Sequence, residues 1–461
     1  MRSMDASEIA AAVRGEWRNP RQPAPIVSAV STDSRNIIPG CLFIPIVGDR
    51  FDAHAFLDDA LNAGAAGCLY SRPPEYLRPD KFYIQVQDTR AALGALAAAC
   101  RDSFSIPFIQ ITGSVGKTTT KEMIAAVLGE KLRVLKTEGN FNNQIGVPLT
   151  LLNLVPGYEA AVVETGMNRF GEISYLGGLV RPDIAVITNI GDAHIEFLGS
   201  REGILKAKCE IFEHLQEGGL AILNGDDPLL NQVAPPFRTI RCGYSPGCQV
   251  RITDFIDMSV NGIRCTVRTE RRTYPLTIPA PGAYMAIPAA MGVAVGEALG
   301  LEKEEIIRGV SSYTPAGSRM RVLHLDGNRI LLDDCYNANP QSVTAALEVL
   351  SRTECDKRIA VLGDMGELGG YAKQAHYNVG TLTAMLGIDC VIAIGPRARD
   401  IAEGAEQSGG DAIHFETKEE AIDELKRQWT PNGAMLVKAS HAMRFGEIVK
   451  AMKGAYGSEA P

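Results

Sequence analysis

The run Ile111-Thr112-Gly113-Ser114-Val115-Gly116-Lys117-Thr118-Thr119-Thr120 places a lysine and a hydroxyl directly behind two glycines, a combination suited to holding a polyphosphate. Pro107-Phe108-Ile109-Gln110-Ile111 before it reads as a short apolar strand, and Lys121 to Leu128 has helical spacing. A glycine turn between strand and helix directs backbone N–H groups and a helix N-terminus at an anion. Lys117 then supplies a mobile positive charge and Thr118 a hydroxyl for the accompanying Mg²⁺. The general phosphate-loop pattern asks for a glycine six residues before the lysine, where Ile111 stands, so Gly113 makes a shorter loop. The competing reading is a chance glycine turn, and the strand-loop-helix context counts against it.

Further groups follow apolar runs in the same way. Ala160-Ala161-Val162-Val163 ends in Glu164, and a carboxylate at a strand's C-terminal end sits where α/β sheets bind ligands. A cap or salt bridge is its structural alternative. Ile184 to Ile190 leads through Gly191-Asp192-Ala193 to His194, a candidate Mg²⁺ neighbour, although a lone histidine is more often structural. In the helical pattern from Glu202 to Leu215, Lys208 lies within the apolar stripe of Ile204, Ile211 and Leu215. Lys206 shares the opposite face with Glu210, Glu213 and Glu217, which reads as a solvated charged edge. An ammonium on the apolar face is costly unless paired, and a neutral amine there can take up CO₂ as a carbamate; a snorkelling lysine is the plainer reading. Later, Asp333-Asp334-Cys335-Tyr336-Asn337-Ala338-Asn339-Pro340 joins a strand to a helix with proline at its first turn, and its asparagines could serve as turn formers and caps. Arg319 lies upstream, and Leu362-Gly363-Asp364-Met365-Gly366-Glu367-Leu368-Gly369 is a second acidic loop behind a strand.

The elements that must position these groups fall into three stretches. At 461 residues the chain exceeds one ordinary core, so two or three domains are expected. Residues 1–103 mix short strands (Ile26 to Val30, Cys41 to Ile46) with helices, closing on an alanine-rich helix from Thr89 to Cys100. Residues 104–314 carry strands at Ala160–Glu164, Ile184–Thr188 and Ala221–Asn224 between helical segments, the pattern of a mostly parallel sheet covered on both faces. Residues 315–461 repeat that α/β rhythm with strands at Ile330–Asp333, Ile359–Leu362, Val391–Ile394 and Met435–Val437. No G-x-G-x-x-G follows a strand, so no dinucleotide cofactor is indicated. The net charge of −8 without a basic block argues against nucleic-acid or anionic-membrane partners, and no apolar run approaches a membrane span. Nothing at the N-terminus reads as a signal peptide. Ten scattered cysteines without a C-x-x-C pair favour reduced thiols in a cytoplasm over disulfides or zinc.

Taken together, these motifs resemble the Mur ligase family, the ATP-dependent amide-forming enzymes of peptidoglycan precursor synthesis. The resemblance spans nearly the whole chain. It rests on Thr32-Asp33-Ser34-Arg35, Pro39-Gly40, Leu42-Phe43, Gly48 through His54, Thr112 to Glu122, and Asn140-Phe141-Asn142-Asn143-Gln144-Ile145-Gly146-Val147-Pro148-Leu149-Thr150. It implies three α/β domains: a small N-terminal UDP-sugar-binding domain, a central phosphate-loop ATPase-like sheet, and a C-terminal Rossmann-like domain that binds the incoming amine and closes over ATP. It implies ATP contacts at Gly113, Ser114, Val115, Gly116, Lys117, Thr118, Thr119, Arg319 and Asp334. Two Mg²⁺ ions are implied near Thr118, Glu164, His194 and a carbamate derived from CO₂ on Lys208, with Lys117, Glu164, His194 and Lys208 as the catalytic set. Substrate contacts are implied at Ser34, Arg35, Gly48, Asp52, His54, Thr137, Asn140, Asn142, Asn143, Tyr336, Asn337 and Asn339.

Tyr336 to Pro340 and the L-G-D-M-x-E-L-G run resemble the branch that joins D-alanyl-D-alanine to UDP-N-acetylmuramoyl-tripeptide through an acyl phosphate, with the chain acting as a monomer. The third-amino-acid ligase, whose D-Y-A-H-T-P and D-N-P-R motifs are missing here, is the competing branch. Folylpolyglutamate synthase lacks the T-D-S-R domain, and a non-catalytic paralogue binding muropeptide nucleotides has no need of a complete metal site. Two segments depart from the family. Where it carries G-x-H-N-x-x-N, Gly282-Ala283-Tyr284-Met285-Ala286-Ile287-Pro288 removes two amides and a histidine from the implied base pocket. Lys438-Ala439-Ser440-His441 stands where this branch has K-G-S-R.

Overall fold

Three sheets of unequal size organise the backbone of the computed structural model, which describes residues 1–20, 23–48 and 51–457. The first has five short strands in the order Glu16–Trp17, Phe82–Gln85, Gly67–Tyr70, Leu42–Phe43 and Val30–Ser31. The apolar runs expected as single strands are broken here. Ile26–Val27 pairs antiparallel with Met4–Asp5 in a separate ribbon, and the Met1 ammonium takes the Ser28 carbonyl where the chain crosses between sheets. Of the 41–46 run only Leu42–Phe43 is a strand, because Pro45 has no N–H to continue the ladder.

Nine strands make the second sheet. Six consecutive pairings, from Val250–Asp257 through Arg238–Gly243, Leu220–Asn224, Ile184–Ile187, Phe108–Thr112 and Ala160–Glu164 to Val134–Lys136, are parallel. Ile263–Arg268 and Thr273–Ile278 extend the far edge antiparallel. Side chains alternate across the sheet, so Ile109, Ile111 and Val162 face the helices Lys117–Gly129, Ala286–Ala298 and Lys303–Ser311, while Phe108, Ala161 and Val163 face the other layer. Burying each such aliphatic side chain contributes roughly 1.5–3 kcal/mol, which explains the near-continuous apolar strands. That second layer includes Thr89–Asp102, whose Leu93, Leu96 and Cys100 share a core with Leu151, Leu152 and Leu176. The helix grouped by sequence with the first unit thus packs into the second.

The third sheet runs Arg321–Leu325, Arg329–Asp333, Gly433–Lys438, Lys357–Gly363, Cys390–Ile394 and Ala412–Phe415, parallel after the first antiparallel pair. Helices including Pro340–Ser351 and Ala372–Met385 cover it. The molecule is an α/β protein, as expected. No helix among the described residues is long and apolar enough to cross a membrane, and all ten cysteines are free thiols.

Candidate active site

Parallel register brings the key groups to one edge. Glu164 pairs with Ile111, and Ile187 pairs with both Thr112 and Leu223, so four strands end side by side and their following loops meet. These loops line a cleft of about 1060 Å³. Gly113 has φ +153°, and a Cβ there would lie 1.8 Å from Thr188 Oγ1; Gly116 has φ +79° and precedes the helix Lys117–Gly129. Both positions require glycine. The loop is braced from below: Val115 N donates to Asn189 Oδ1 (2.9 Å), Gly191 N to Ser114 Oγ (2.9 Å), and Thr188 Oγ1 to the Val115 carbonyl (2.6 Å). Lys117 Nζ folds onto the Gly113 carbonyl at 2.9 Å. Burial lowers its pKa, opposed by Glu164 and Glu367, with Arg319 adding repulsion.

Thr118 Oγ1 donates to Glu164 Oε2 at 2.7 Å, and Asn142 Nδ2 donates to Glu164 Oε1 at 2.8 Å. The hydroxyl and carboxylate expected to share a cation are therefore adjacent. Among the described residues no three His, Cys, Asp or Glu side chains converge as a metal cage. Mg²⁺ takes one or two protein oxygens and completes its shell with phosphate and water, so the Thr118–Glu164 pair would be enough to hold it. Thr137 lies beneath rather than on the cleft: its Oγ1 accepts Glu164 N at 3.0 Å, and its carbonyl accepts the buried Lys121 ammonium. Asn140, Asn142 and Asn143 line the cleft, with Asn143 Oδ1 capping the following backbone at Ile145 and Gly146.

Lys208 is fully buried on the helix Arg201–Cys209, which Ser200 caps through Gly203 N. Among the described residues it has no hydrogen-bond or ion-pair partner. Burial, with repulsion from Lys117 next, pushes its pKa well below the ordinary lysine value. At 1% exposure its stem and head are almost wholly enclosed, unlike a snorkelling lysine whose head lies in water. The opposite face of this segment needs correction. Lys206, Glu213 and Glu217 are exposed as expected, but Glu210 accepts the backbone N–H groups of Gly171 and Ser174 and Glu213 the Ser174 hydroxyl, so both also tie down the helix Glu172–Val180. His194, at φ +65°, points across the cleft, with Nδ1 2.8 Å from Glu367 Oε2 of the third unit.

The facing wall comes from the third unit. Asp334 Oδ1 accepts Met320 N (3.0 Å), and Lys438 Nζ pairs with Asp334 Oδ2 at 2.5 Å while donating to the Asn337 carbonyl at 3.0 Å. Burial raises the Asp334 pKa, against the pull of Lys438. The Arg319 guanidinium stacks 3.6 Å from the Tyr336 ring centroid, and the His441 ring centroid lies 5.3 Å from that of Tyr336. Asn339 Oδ1 accepts Ser342 N at 2.9 Å, so this asparagine caps the helix Pro340–Ser351 as well as lining the cleft. Tyr284, Met285, Ile287 and Pro288, the segment without family amides, line another part.

The N-terminal candidates do not reach this cleft. Arg35 forms a bidentate pair with Asp33, which holds the Asp33 pKa down at about 2, and Ser34 lies beside them. Asp52 binds His54 and Arg72, His54 Nε2 accepts Ser71 N, and Gly48 N donates to the Phe51 carbonyl. Asp49 and Arg50 of that motif lie outside the described residues. The link is a residue the sequence reading missed: Arg90 lines the cleft and donates to the Val47 carbonyl at 2.7 Å. Arg201, which stands in no glycine turn or polar cluster, and Gln341, one residue past such a cluster, were missed too. Lys438, quoted above only within its departure from K-G-S-R, also lines the cleft.

Comparison with known proteins agrees with this geometry. Family models describing the Mur ligase family catalytic domain, the Mur ligase middle domain and the glutamate ligase domain match residues 26–101, 111–296 and 318–441. The UDP-N-acetylmuramoyl-tripeptide–D-alanyl-D-alanine ligase of Bacillus subtilis is 39% identical over 96% of both chains, and that of Escherichia coli 38% over 93% and 94%. A crystal structure of MurF from Acinetobacter baumannii superposes with TM-score 0.91 at 32% identity, covering 98% of this chain and 99% of that one. MurF from Thermotoga maritima in complex with ADP gives 0.83 at 29%, covering 92% and 97%. The chain belongs to the Mur ligase family of ATP-dependent amide-forming ligases.

Proposed function

We propose that this protein joins D-alanyl-D-alanine to the free carboxylate of UDP-N-acetylmuramoyl-tripeptide at the expense of ATP, in a cytoplasm, as a monomer. The observation that carries this reading is the Thr118–Glu164 pair beneath the phosphate loop, opening onto a wall built from Tyr336, Asn337 and Lys438. A carboxylate resists attack by an amine until one of its oxygens becomes a leaving group, and phosphorylation supplies that. In-line phosphoryl transfer asks mainly for positioning and charge neutralisation.

In this reading the loop amides and Lys117 hold the triphosphate, and Arg319 and Asp334 lie against the nucleotide. Thr118 and Glu164 would hold one Mg²⁺, and His194 with a carbamylated Lys208 would hold a second. Bound there, Mg²⁺ neutralises charge developing on the transferred phosphoryl group. The carbamate forms when the neutral Lys208 nitrogen attacks the carbon of CO₂: an N–C bond is made, a C=O π pair becomes the carboxylate, and nitrogen loses one proton. The unpaired, buried state of Lys208 supports that modification. Residues 1–103 hold the nucleotide-sugar end, ATP lies between residues 104–314 and 315–461, and the dipeptide meets the Tyr336 to Asn339 loop.

The test is a matrix of acceptors and amines: UDP-muramoyl dipeptide or tripeptide, each with D-alanine, D-alanyl-D-alanine or a diamino acid, read by product mass. Only tripeptide with D-alanyl-D-alanine is expected to give efficient amide formation. Efficient addition of a diamino acid to the dipeptide would replace this reading with the third-residue ligase.

A further inference from the structure

His376, buried in the third unit, is used by none of the chemistry above, yet both its ring nitrogens are committed. Nδ1 lies 2.7 Å from the Ala372 carbonyl, which can only accept, so Nδ1 carries the proton. Nε2 is therefore bare, and it accepts the Met365 N–H at 2.9 Å. Met365 sits in the acidic loop after Lys357–Gly363. In that loop Asp364 Oδ1 accepts Arg397 N and Ala398 N, and the Asp364 carbonyl accepts Ser440 N at 3.0 Å. The Ser440–His441 turn supports the cleft wall, since His441 N donates toward Asn337 Oδ1 and its ring lies against Tyr336. Two residues beyond Met365, Glu367 takes φ +61° and reaches His194. A non-glycine residue in the left-handed region persists only where its surroundings hold it.

We propose that His376 is a positioning residue for the ligase reaction: its Nε2 clamps the Gly363–Gly369 loop through Met365 and so sets both Glu367 and the Ser440–His441 turn against the cleft. The ring is suited to this as a neutral group. Burial lowers its pKa, opposed by the Ala372 carbonyl and by Asp364 and Asp400, while Arg397 lowers it further. Neutral histidine is thus favoured in the folded loop, so the clamp is intact above the ordinary imidazole value of about 6.5 and weakens as pH falls through the lower folded value.

The inference rests on the ligase reading, and two variants with two readouts separate them. His376→Leu keeps bulk but removes the acceptor; His376→Gln offers Oε1 to Met365 N–H and cannot be protonated. His376→Leu is expected to lose about 30-fold or more in kcat with KM for ATP and the nucleotide-sugar substrate changed less than about threefold, and His376→Gln to recover most of the loss. The ratio of wild-type to His376→Gln kcat is expected to fall as pH drops through the folded value of His376, which lies below the ordinary value of about 6.5. Amide hydrogen exchange over residues 363–369 is expected to rise about tenfold or more in His376→Leu and stay near wild type in His376→Gln. Exchange needs no turnover, so it decides the clamp even if the ligase reading fails. Wild-type-like exchange in His376→Leu, no recovery in His376→Gln, or a pH-independent ratio would each overturn the proposal.

Discussion

A single buried lysine carries much of the chemistry argued above. Removing an ammonium from water without a partner is expensive, and Lys208 has no ion pair among the described residues and a second cation, Lys117, within electrostatic reach. The neutral amine is the form such a site favours, and that is the form able to capture CO₂. Lys208→Ala is therefore expected to lose about 10²-fold or more in kcat. Formate or acetate added to the assay should restore part of it by standing in for the carbamate oxygens. Steady-state phosphate release checks both, and unimpaired turnover in the variant would assign Lys208 a packing role only. Glu164 is held from both sides by Thr118 and Asn142, a geometry that orients its oxygens before any cation arrives.

Among the elements, Pro340–Ser351 shows how one residue can serve fold and site together. Asn339 satisfies the Ser342 N–H, and Ser342 Oγ accepts the Asn339 N–H in return. Asn339→Ala is expected to cost about 1 kcal/mol of stability and Asn339→Ser only a few tenths, read from urea unfolding midpoints. A neutral Asn339→Ala would mean that the cap contributes nothing. Much of this level was legible beforehand. Ala160–Glu164 and the strand before Gly113 are fully buried parallel strands, so their apolar runs end sharply where the polar groups begin. The antiparallel edge formed by Ile263–Arg268 and Thr273–Ile278 was not read, although both segments bury every second residue, the period of a half-buried strand. Nor was the contact between Glu367 and His194. It depends on how one unit docks against another, which no local pattern encodes.

For the whole molecule, the cleft is a product of assembly. The phosphate loop and Glu164 come from one sheet, Arg319, Asp334 and Lys438 from another, and Arg90 links Val47 of the first unit to the cleft. Groups so divided form one site only where the second and third units meet, as at the His194–Glu367 contact. The claim on which this depends is that ATP activates the acceptor carboxylate directly. Synthesis of the amide from UDP-N-acetylmuramoyl-tripeptide labelled with ¹⁸O in its reacting carboxylate tests that, with mass analysis of the phosphate released. An acyl phosphate intermediate transfers one labelled oxygen to each inorganic phosphate; phosphate free of label, with all ¹⁸O retained in the peptide or found in AMP, would contradict the account.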